Sequence, residues 1–397
     1  MTRAMLLALV AAQAVIAPRI DAVADRDMTD QQRAIVASYV RPGQLTNDVR
    51  VLLTHPDSVP AVVSFADYIA FQTTLPAHDR AVLMLRTAWL SRSPYLWAKY
   101  GTAAASLRPP IELSRIAAPS ITAEESFDAV LLRAADGLQR RAFIDDSTWT
   151  ALAARYSTEQ LLDAVFTVAN TTMLAGLVNS ANVPIDAAFS VQSPAWPEAG
   201  DAGRGHQAPS APRIEPLEQT FWTGELRVLL DPDATGRPVA NIYRTLAKHP
   251  ALYRPRQELS EYIRTRNTLP PRLRELAILR IGALCGSDYE WGAHAPAGRS
   301  AGLNDAEIRR IAMTPPASTP TAPMTGWNAR DASVIRATDE LYGFDVISGP
   351  TWTMLSRDLD PRQRIDLLIT VGGYRMVSMA LNTLGVPLES NNERIPR

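Results

Sequence analysis

Apolar residues recur at helical spacing along most of the chain. After Pro271 they predict a core-facing helix that ends at Gly286 and is marked by Leu276, Ile278, Leu279, Ile281 and Leu284. Residues 158–182 and 361–384 show the same kind of pattern, and no segment has the sustained alternation or the hairpin turns of strands. The pattern therefore predicts an all-α protein.

A second helix is predicted directly after Gly286. Ser287 and Glu290 have the S-x-x-E form of a capping box, and Asn304 with Glu307 marks a further helix start of the same kind. Since Glu290 and His294 are four residues apart, they lie on one face of this helix. A carboxylate and an imidazole would then share a surface.

The chain contains an internal repeat. In its earlier part the offset is 194 residues, and later it is 203. At the first offset His55 pairs with His249 and Tyr68 with Tyr262, and at the second the Thr-Trp-Thr run at 148–150 recurs at 351–353. The nine additional residues fall in or near 314–327, a loop rich in Pro and Thr.

The repeat sets the predicted domain organisation. A chain of 397 residues with 46% hydrophobic residues can bury two cores. We assign residues 28–186 to an N-terminal unit and residues 213–389 to a C-terminal unit, and we expect the two helical units to pack as a pseudodimer. Residues 187–212 between them are rich in Pro, Gly and Ala, and that composition predicts a linker without a packed core.

The net charge of the chain indicates which class of binding partner to expect. With 40 basic and 41 acidic residues the net charge is −1, which does not favour nucleic acid or an anionic membrane surface. We expect a small-molecule substrate.

The first 24 residues are interpreted as a signal peptide. Arg3 precedes an apolar run, residues 4–17, that is too short to span a bilayer. The small residues that precede a cleavage site occur at 22–24 and, as an alternative, at 12–14. We predict export to the periplasm and no membrane span in the mature chain. The alternative is a start helix of a cytoplasmic protein.

The two units differ at the positions of the candidate catalytic residues. Residues shared by both, such as His55 and His249, favour scaffold roles. The ionisable residues of the candidate site occur only in the C-terminal unit. At the offset of 194, Glu275 corresponds to Ala81, Glu290 to Leu96 and His294 to Tyr100, while Ser287 corresponds to Ser93. We therefore expect the N-terminal unit to be apolar and inert at these positions, and the C-terminal unit to carry the activity.

Other chemistry is less well supported by the residues. Cys285 is the one cysteine, which excludes an intramolecular dithiol and favours a buried structural thiol. Glu290 and His294 could share a cation, but the chain has five histidines and offers no evident third ligand, so we expect neither a metal nor a cofactor. Ser287 lacks the strand-turn-helix setting of a hydrolytic nucleophile.

A pair of glycines precedes a further candidate residue. Gly372 and Gly373 are predicted to interrupt a late helix, because paired glycines disfavour a helix unless a backbone or a ligand approaches closely. Tyr374 would then line a substrate pocket together with Ser287 and Trp291. The alternative is close helix packing with an ordinary buried tyrosine.

The spacing of these residues resembles the carboxymuconolactone decarboxylase and alkylhydroperoxidase D superfamily. Its peroxidase branch carries a Glu, then C-x-x-C, then a His four residues later. Here the frame is Glu275, eleven residues, Ser287-x-x-Glu290, three residues and His294, so both redox cysteines are replaced. The Glu-x-x-x-His ending is similar to the decarboxylase branch. The resemblance implies helical subunits that commonly form homo-oligomers, or here an intrachain pseudodimer.

The resemblance also implies a reaction class. The leading hypothesis is a cofactor-independent lyase that acts on a small carboxylated or lactone-like substrate. In it His294 is the general acid, Glu290 orients His294 or shuttles the proton, and Glu275 is a relay or tuning charge. One alternative is an alkylhydroperoxidase-like peroxidase in which Cys285 acts with an external thiol. The other is a binding or assembly protein without catalysis.

Overall fold

The computed structural model describes residues 17–121, 126–197, 209, 211–231, 233–316, 324–390 and 392–396. Over these residues the chain is all-α and has no strand, which confirms the predicted class. The first 16 residues of the predicted signal peptide lie outside the described residues.

Nine α-helices precede the predicted linker in the described part of the chain. They are α1 (Asp30–Tyr39), α2 (Asn47–Leu52), α3 (Val59–Phe71), α4 (Ala77–Leu90), α5 (Pro94–Ala104), α6 (Leu113–Ile116), α7 (Phe127–Arg141), α8 (Asp146–Ala153) and α9 (Thr158–Ala181).

The second series of described helices is similar in order and length. It comprises α10 (Gly224–Leu230), α11 (Asn241–Leu246), α12 (Pro250–Glu261), α13 (Pro271–Leu284), α14 (Asp288–Ser300), α15 (Asp305–Met313), α16 (Ala329–Phe344), α17 (Gly349–Asp358) and α18 (Pro361–Leu384). A π-helical turn, Tyr262–Arg266, follows α12.

The helix bounds recur at the two offsets of the sequence repeat. The bounds of α4 reappear in α13 at 194 residues, and those of α9 reappear in α18 at 203. Matching signals begin and end the last pair. Both helices start in a capping box with a Gln at the third position, and both end at a left-handed residue, Asn182 (φ 51°) and Gly385 (φ 66°).

The helices α9 and α18 pack against each other at the centre of the molecule. A Cβ on Gly372 would lie 2.4 Å from Cγ and 3.0 Å from Cα of Met173, so the glycine lets the two backbones approach closely. The helix α18 continues through both glycines, and the predicted interruption is wrong. Although Thr158–Ala181 is long and apolar enough to cross a membrane, it is buried inside the fold.

Two buried clusters join the units reciprocally. His55 Nε2 is 3.1 Å from Asp366 Oδ2 and 2.8 Å from the Tyr262 hydroxyl. His249 Nε2 is 3.1 Å from Asp163 Oδ1 and 2.9 Å from the Tyr68 hydroxyl. Each histidine thus reaches a Tyr and an Asp of the other unit. These contacts agree with the scaffold role expected for the shared histidines, and the packing of the units as a pseudodimer stays a prediction.

The chain after α9 is extended but packed. The indole N–H of Trp97 donates to the Gln192 carbonyl at 3.0 Å, and that of Trp89 donates to the Ala195 carbonyl at 2.9 Å. Val191 packs so closely on Gly101 that a Cβ there would meet its Cγ1 at 2.9 Å. Residues 189–197 therefore cover the N-terminal unit, which composition alone did not suggest. The rest of the predicted linker lies mostly outside the described residues.

The segment before α1 also contacts both units. Arg19 Nη1 donates to the Ser180 carbonyl at 3.1 Å and to the Ile347 carbonyl at 2.6 Å, and its guanidinium lies over Trp352. These contacts tie the N-terminal segment to the ends of α9 and α16.

Candidate active site

Four helices position the candidate residues. Glu275 lies on α13, Glu290 and His294 lie on α14, Tyr374 lies on α18 and Arg256 lies on α12. Between α13 and α14 the chain turns at Gly286, whose φ of +64° is the left-handed conformation that a glycine adopts without strain. This short turn brings the two carboxylates to the same imidazole.

The imidazole of His294 lies between the two carboxylates. Its Nδ1 is 2.8 Å from Glu275 Oε2, a hydrogen bond in which Nδ1–H donates to the carboxylate. Its Nε2 is 3.7 Å from Glu290 Oε2. Arg274 Nε approaches the other oxygen of Glu275 at 3.4 Å. The structure thus brings together the three residues for which the sequence predicted catalysis.

The carboxylate of Glu290 does not cap its own helix. Ser287 Oγ accepts from the Glu290 N–H at 3.5 Å, which is half of the predicted capping box. In the other half the Glu290 side chain would accept from the Ser287 N–H, but that group donates to the Gly282 carbonyl at 2.9 Å. The Glu290 carboxylate is therefore directed at His294.

Burial favours the neutral form of Glu290. The side chain is buried, and desolvation raises the pKa of its carboxyl group, an effect that the charge of Glu275 increases. The positive charges of His294 and Arg256 oppose it. A raised pKa moves a carboxyl group towards the range in which it can act as a general acid.

Tyr374 packs on the imidazole. Its ring meets that of His294 edge to face, with 4.8 Å between the ring centroids. Burial raises the pKa of the phenol, and the neighbouring carboxylates of Glu290 and Glu275 raise it further. The hydroxyl therefore stays protonated and can only donate or accept a hydrogen bond. The structure places Tyr374 against His294, and its role in a substrate pocket stays a prediction.

Arg256 was missed by the sequence analysis. It is buried, its charge acts on Glu290 and Tyr374, and it forms no ion pair within 4 Å in the described part of the chain. Its equivalent at the offset of 194 is Val62, so the same comparison between the units that singled out Glu275 would have found it. It supplies a positive charge beside the two carboxylates.

The remaining two pocket candidates have structural surroundings. Ser287 is buried and uses its hydroxyl to cap α14. Trp291 is 1% exposed and lies in the hydrophobic core, on the same helix as His294. Neither presents its side chain to solvent, whereas 19% of the His294 side chain is exposed. A substrate would therefore meet the imidazole first.

Cys285 is a buried thiol at the end of α13. Burial raises its pKa to about 12, although the nearby Arg375 and Ser378 oppose the shift. The thiol is therefore protonated at neutral pH, when the reactive form of cysteine is the thiolate. This agrees with the structural role expected for it.

The described residues contain no group of three or more His, Cys, Asp and Glu side chains that could hold a metal ion.

Part of the C-terminal unit matches a known protein family. Residues 250–334 match the model of the carboxymuconolactone decarboxylase family, a span that includes Arg256, Glu275, Glu290 and His294. A comparison of the chain with the curated proteins finds no match.

Proposed function

We propose that the C-terminal unit, in which residues 250–334 match the model of the carboxymuconolactone decarboxylase family, holds the active site of a lyase. Its substrate is a small carboxylated or lactone-like molecule with a carbonyl that can hold an electron pair. The observation that supports this most is the imidazole of His294 between Glu275 and Glu290, of which Glu290 has a buried carboxyl group with a raised pKa.

The reaction that fits these groups is decarboxylation followed by protonation. The bond between the carboxylate carbon and its neighbour breaks and releases carbon dioxide. Its electron pair moves onto the neighbouring carbon and the conjugated carbonyl as an enolate. A proton from the enzyme then forms the new C–H bond, and the enzyme regains that proton from water. The substrate itself holds the electron pair.

The geometry favours distinct roles for the two carboxylates. Glu275 accepts from Nδ1–H at 2.8 Å, so it fixes the ring orientation and leaves Nε2 for proton transfer. This orienting role suits Glu275 better than Glu290, to which the sequence analysis assigned it. Glu290 lies 3.7 Å from Nε2 and burial raises the pKa of its carboxyl group, so in this proposal it returns a proton to the imidazole after each turnover.

Arg256 is the proposed anchor for the substrate. A guanidinium binds a carboxylate with two parallel hydrogen bonds, and a buried one without an ion-pair partner in the described chain is available for this contact. Its position near Glu290 would hold the substrate beside the proton donor. Substrates without a carboxylate or an equivalent oxygen anion are then expected to bind poorly.

A thiol peroxidase is less compatible with the site. Ser287 and Glu290 occupy the two thiol positions of the peroxidase frame, and Cys285 is buried with a raised pKa. If Cys285→Ala keeps the full activity of the protein, the peroxidase hypothesis is wrong.

The test of the lyase is a metabolite screen with the purified full chain that measures release of carbon dioxide. Glu290→Gln and His294→Asn should each lower turnover by about 10²–10⁴-fold, since that is the usual contribution of a positioned acid. Glu159→Gln and His78→Asn are matched controls in the N-terminal unit and should turn over as the wild type does. Wild-type turnover by both active-site variants would contradict the proposal.

A further inference from the structure

The N-terminal unit contains a cavity of about 440 Å³ that is open to the surface on one side. This volume falls in the range of small-molecule pockets, about 300–1,000 Å³. Much of its wall is aliphatic, with contributions from Val49, Leu52, Val62, Met84, Leu107 and Leu174. The sequence predicted that this unit is inert, and no sequence feature predicted a cavity in it.

The cavity occupies the place that corresponds to the acid and imidazole cluster of the C-terminal unit. Three of the residues in its wall, Ala81, Val62 and Tyr100, correspond to Glu275, Arg256 and His294. Ala81 and Val62 are both smaller than the glutamate and the arginine at the corresponding positions of the C-terminal unit, and both are uncharged. The space that charged side chains take in one unit is therefore lined by small apolar side chains in the other.

The cavity wall contains an arginine, Arg80, that has no carboxylate at the position where its equivalent in the C-terminal unit has one. Arg80 lies in the wall, half-buried, and corresponds to Arg274, which donates to Glu275 at 3.4 Å. With Ala81 at the position of Glu275, the side-chain hydrogen bond described for Arg80 is a 3.4 Å contact from Nη1 to Thr73 Oγ1. No carboxylate of the described residues forms an ion pair with it.

The other two cations of the wall are neutralised. Lys99 Nζ donates to Asp48 Oδ2 at 2.5 Å, and Arg41 forms an ion pair with Asp67. All four of these residues line the cavity, so Arg80 is the cation of the described wall that has no ion pair within 4 Å, although the charge of the buried Asp163 acts on it from farther away. A half-buried guanidinium is favourable only when an anion or water satisfies it.

One more polar group of the wall lacks a partner. Asn170 is 1% exposed, and its Oδ1 has no hydrogen-bond partner within the described structure. It lies in the cavity wall on α9, where the C-terminal unit has Gly373. A buried polar atom without a partner is unfavourable, so a bound molecule or water that reaches it would be stabilised.

We propose that this cavity is a second binding site, for an amphipathic monocarboxylate whose apolar body fills the cavity and whose carboxylate pairs with Arg80. The size of the cavity and its aliphatic wall select the apolar body, and the guanidinium of Arg80, which has no ion pair within 4 Å in the described chain, selects the carboxylate. The site carries no acid, base or nucleophile at the positions of Glu290 and His294, where Leu96 and Tyr100 stand. It binds its ligand without converting it.

The test is calorimetric titration of the full-length protein with octanoate and with the uncharged octanamide. Octanoate should bind the wild type at one site per chain and at least ten-fold more tightly than octanamide. Arg80→Gln should remove this preference. Ala81→Glu gives Arg80 back the carboxylate that Arg274 has, so it should abolish octanoate binding. Arg133→Gln, an exposed charge loss in the same unit, should bind as the wild type does.

Further variants separate this site from the candidate active site and from effects on folding. The Glu290→Gln and His294→Asn variants should bind octanoate as the wild type does. Ala103→Trp, at an exposed position of the wall, should block binding without disturbing the core. The proposal is wrong if the wild type does not bind octanoate, if Arg80→Gln and Ala81→Glu bind it normally, or if binding is lost with the active-site variants.

Discussion

Glu290 is the third residue of α14, where a carboxylate usually bonds back to the residue that caps the helix. The sequence placed Glu290 and His294 on one face of the helix. It could not decide whether the Glu290 carboxylate caps the helix or acts as an acid beside His294. That choice depends on Gly282, whose carbonyl takes the Ser287 N–H and leaves the carboxylate free. Arg256 escaped notice for a related reason: it comes from a separate helix, and its proximity arises only from packing.

The raised pKa of Glu290 makes a prediction for stability. Its ordinary value is 4.5, and the folded state holds the proton to higher pH because the carboxyl group is buried. Stability is therefore fully present below the unfolded pKa and decreases as pH rises through the folded pKa. Glu290→Gln has no such group, so its free energy of unfolding should rise relative to the wild type as pH increases from 4.5 towards neutral.

Urea unfolding of both proteins across this pH range measures the difference. Glu159→Gln, an exposed position at the start of α9, is the control. A constant difference between the wild type and Glu290→Gln at every pH would show that Glu290 ionises as it does in water.

At the scale of the helices, apolar spacing and capping residues were sufficient to predict α18 at its observed bounds, and α9 to within one residue. The same signals failed at Gly372 and Gly373, because a glycine pair weakens a helix only when nothing packs against it. Here Met173 of α9 occupies the space that a side chain would take. The path of residues 189–197 was also unpredictable, since their contacts are made by two indole N–H groups of distant helices.

Gly372→Ala should destabilise the protein. The added methyl group would overlap Met173, including its Cα at 3.0 Å, so the two central helices must separate. Overpacking of this kind costs about 1–3 kcal/mol. Gly343→Ala in α16 is the control, because no atom lies within 4 Å of its Cβ and the helix should gain up to about 1 kcal/mol. Urea unfolding measures both, and equal stability of the two variants would contradict the close approach.

At the scale of the whole molecule, the repeat predicted corresponding helices, but not which buried groups meet across the units. The His55 and His249 clusters each combine residues from three distant parts of the chain. The sequence showed that these residues occur in both units. It could not show that each histidine bonds to the aspartate of the opposite unit, because that follows from how the two units are placed.

His55→Ala and His249→Ala should each lower the free energy of unfolding. The change leaves a buried aspartate and tyrosine with one partner fewer, which costs about 1–3 kcal/mol. His78→Ala is the control, since that side chain is 28% exposed and pairs with a half-exposed Asp128, so its loss should stay within about 1 kcal/mol. Variants of His55 and His249 that are as stable as His78→Ala would show that the cross-unit contacts contribute little.

The covalent order of the two units has a consequence for stoichiometry. If the two units were separate chains, random pairing would give three kinds of dimer. One would have two acid and imidazole clusters, one would have two cavities, and one would have one of each. Fusion in a single polypeptide fixes the mixed pair, because each His55 finds its Asp366 at the high effective concentration of an intramolecular partner. Every molecule then carries one acid and imidazole cluster opposite one cavity, in a ratio that expression level cannot change.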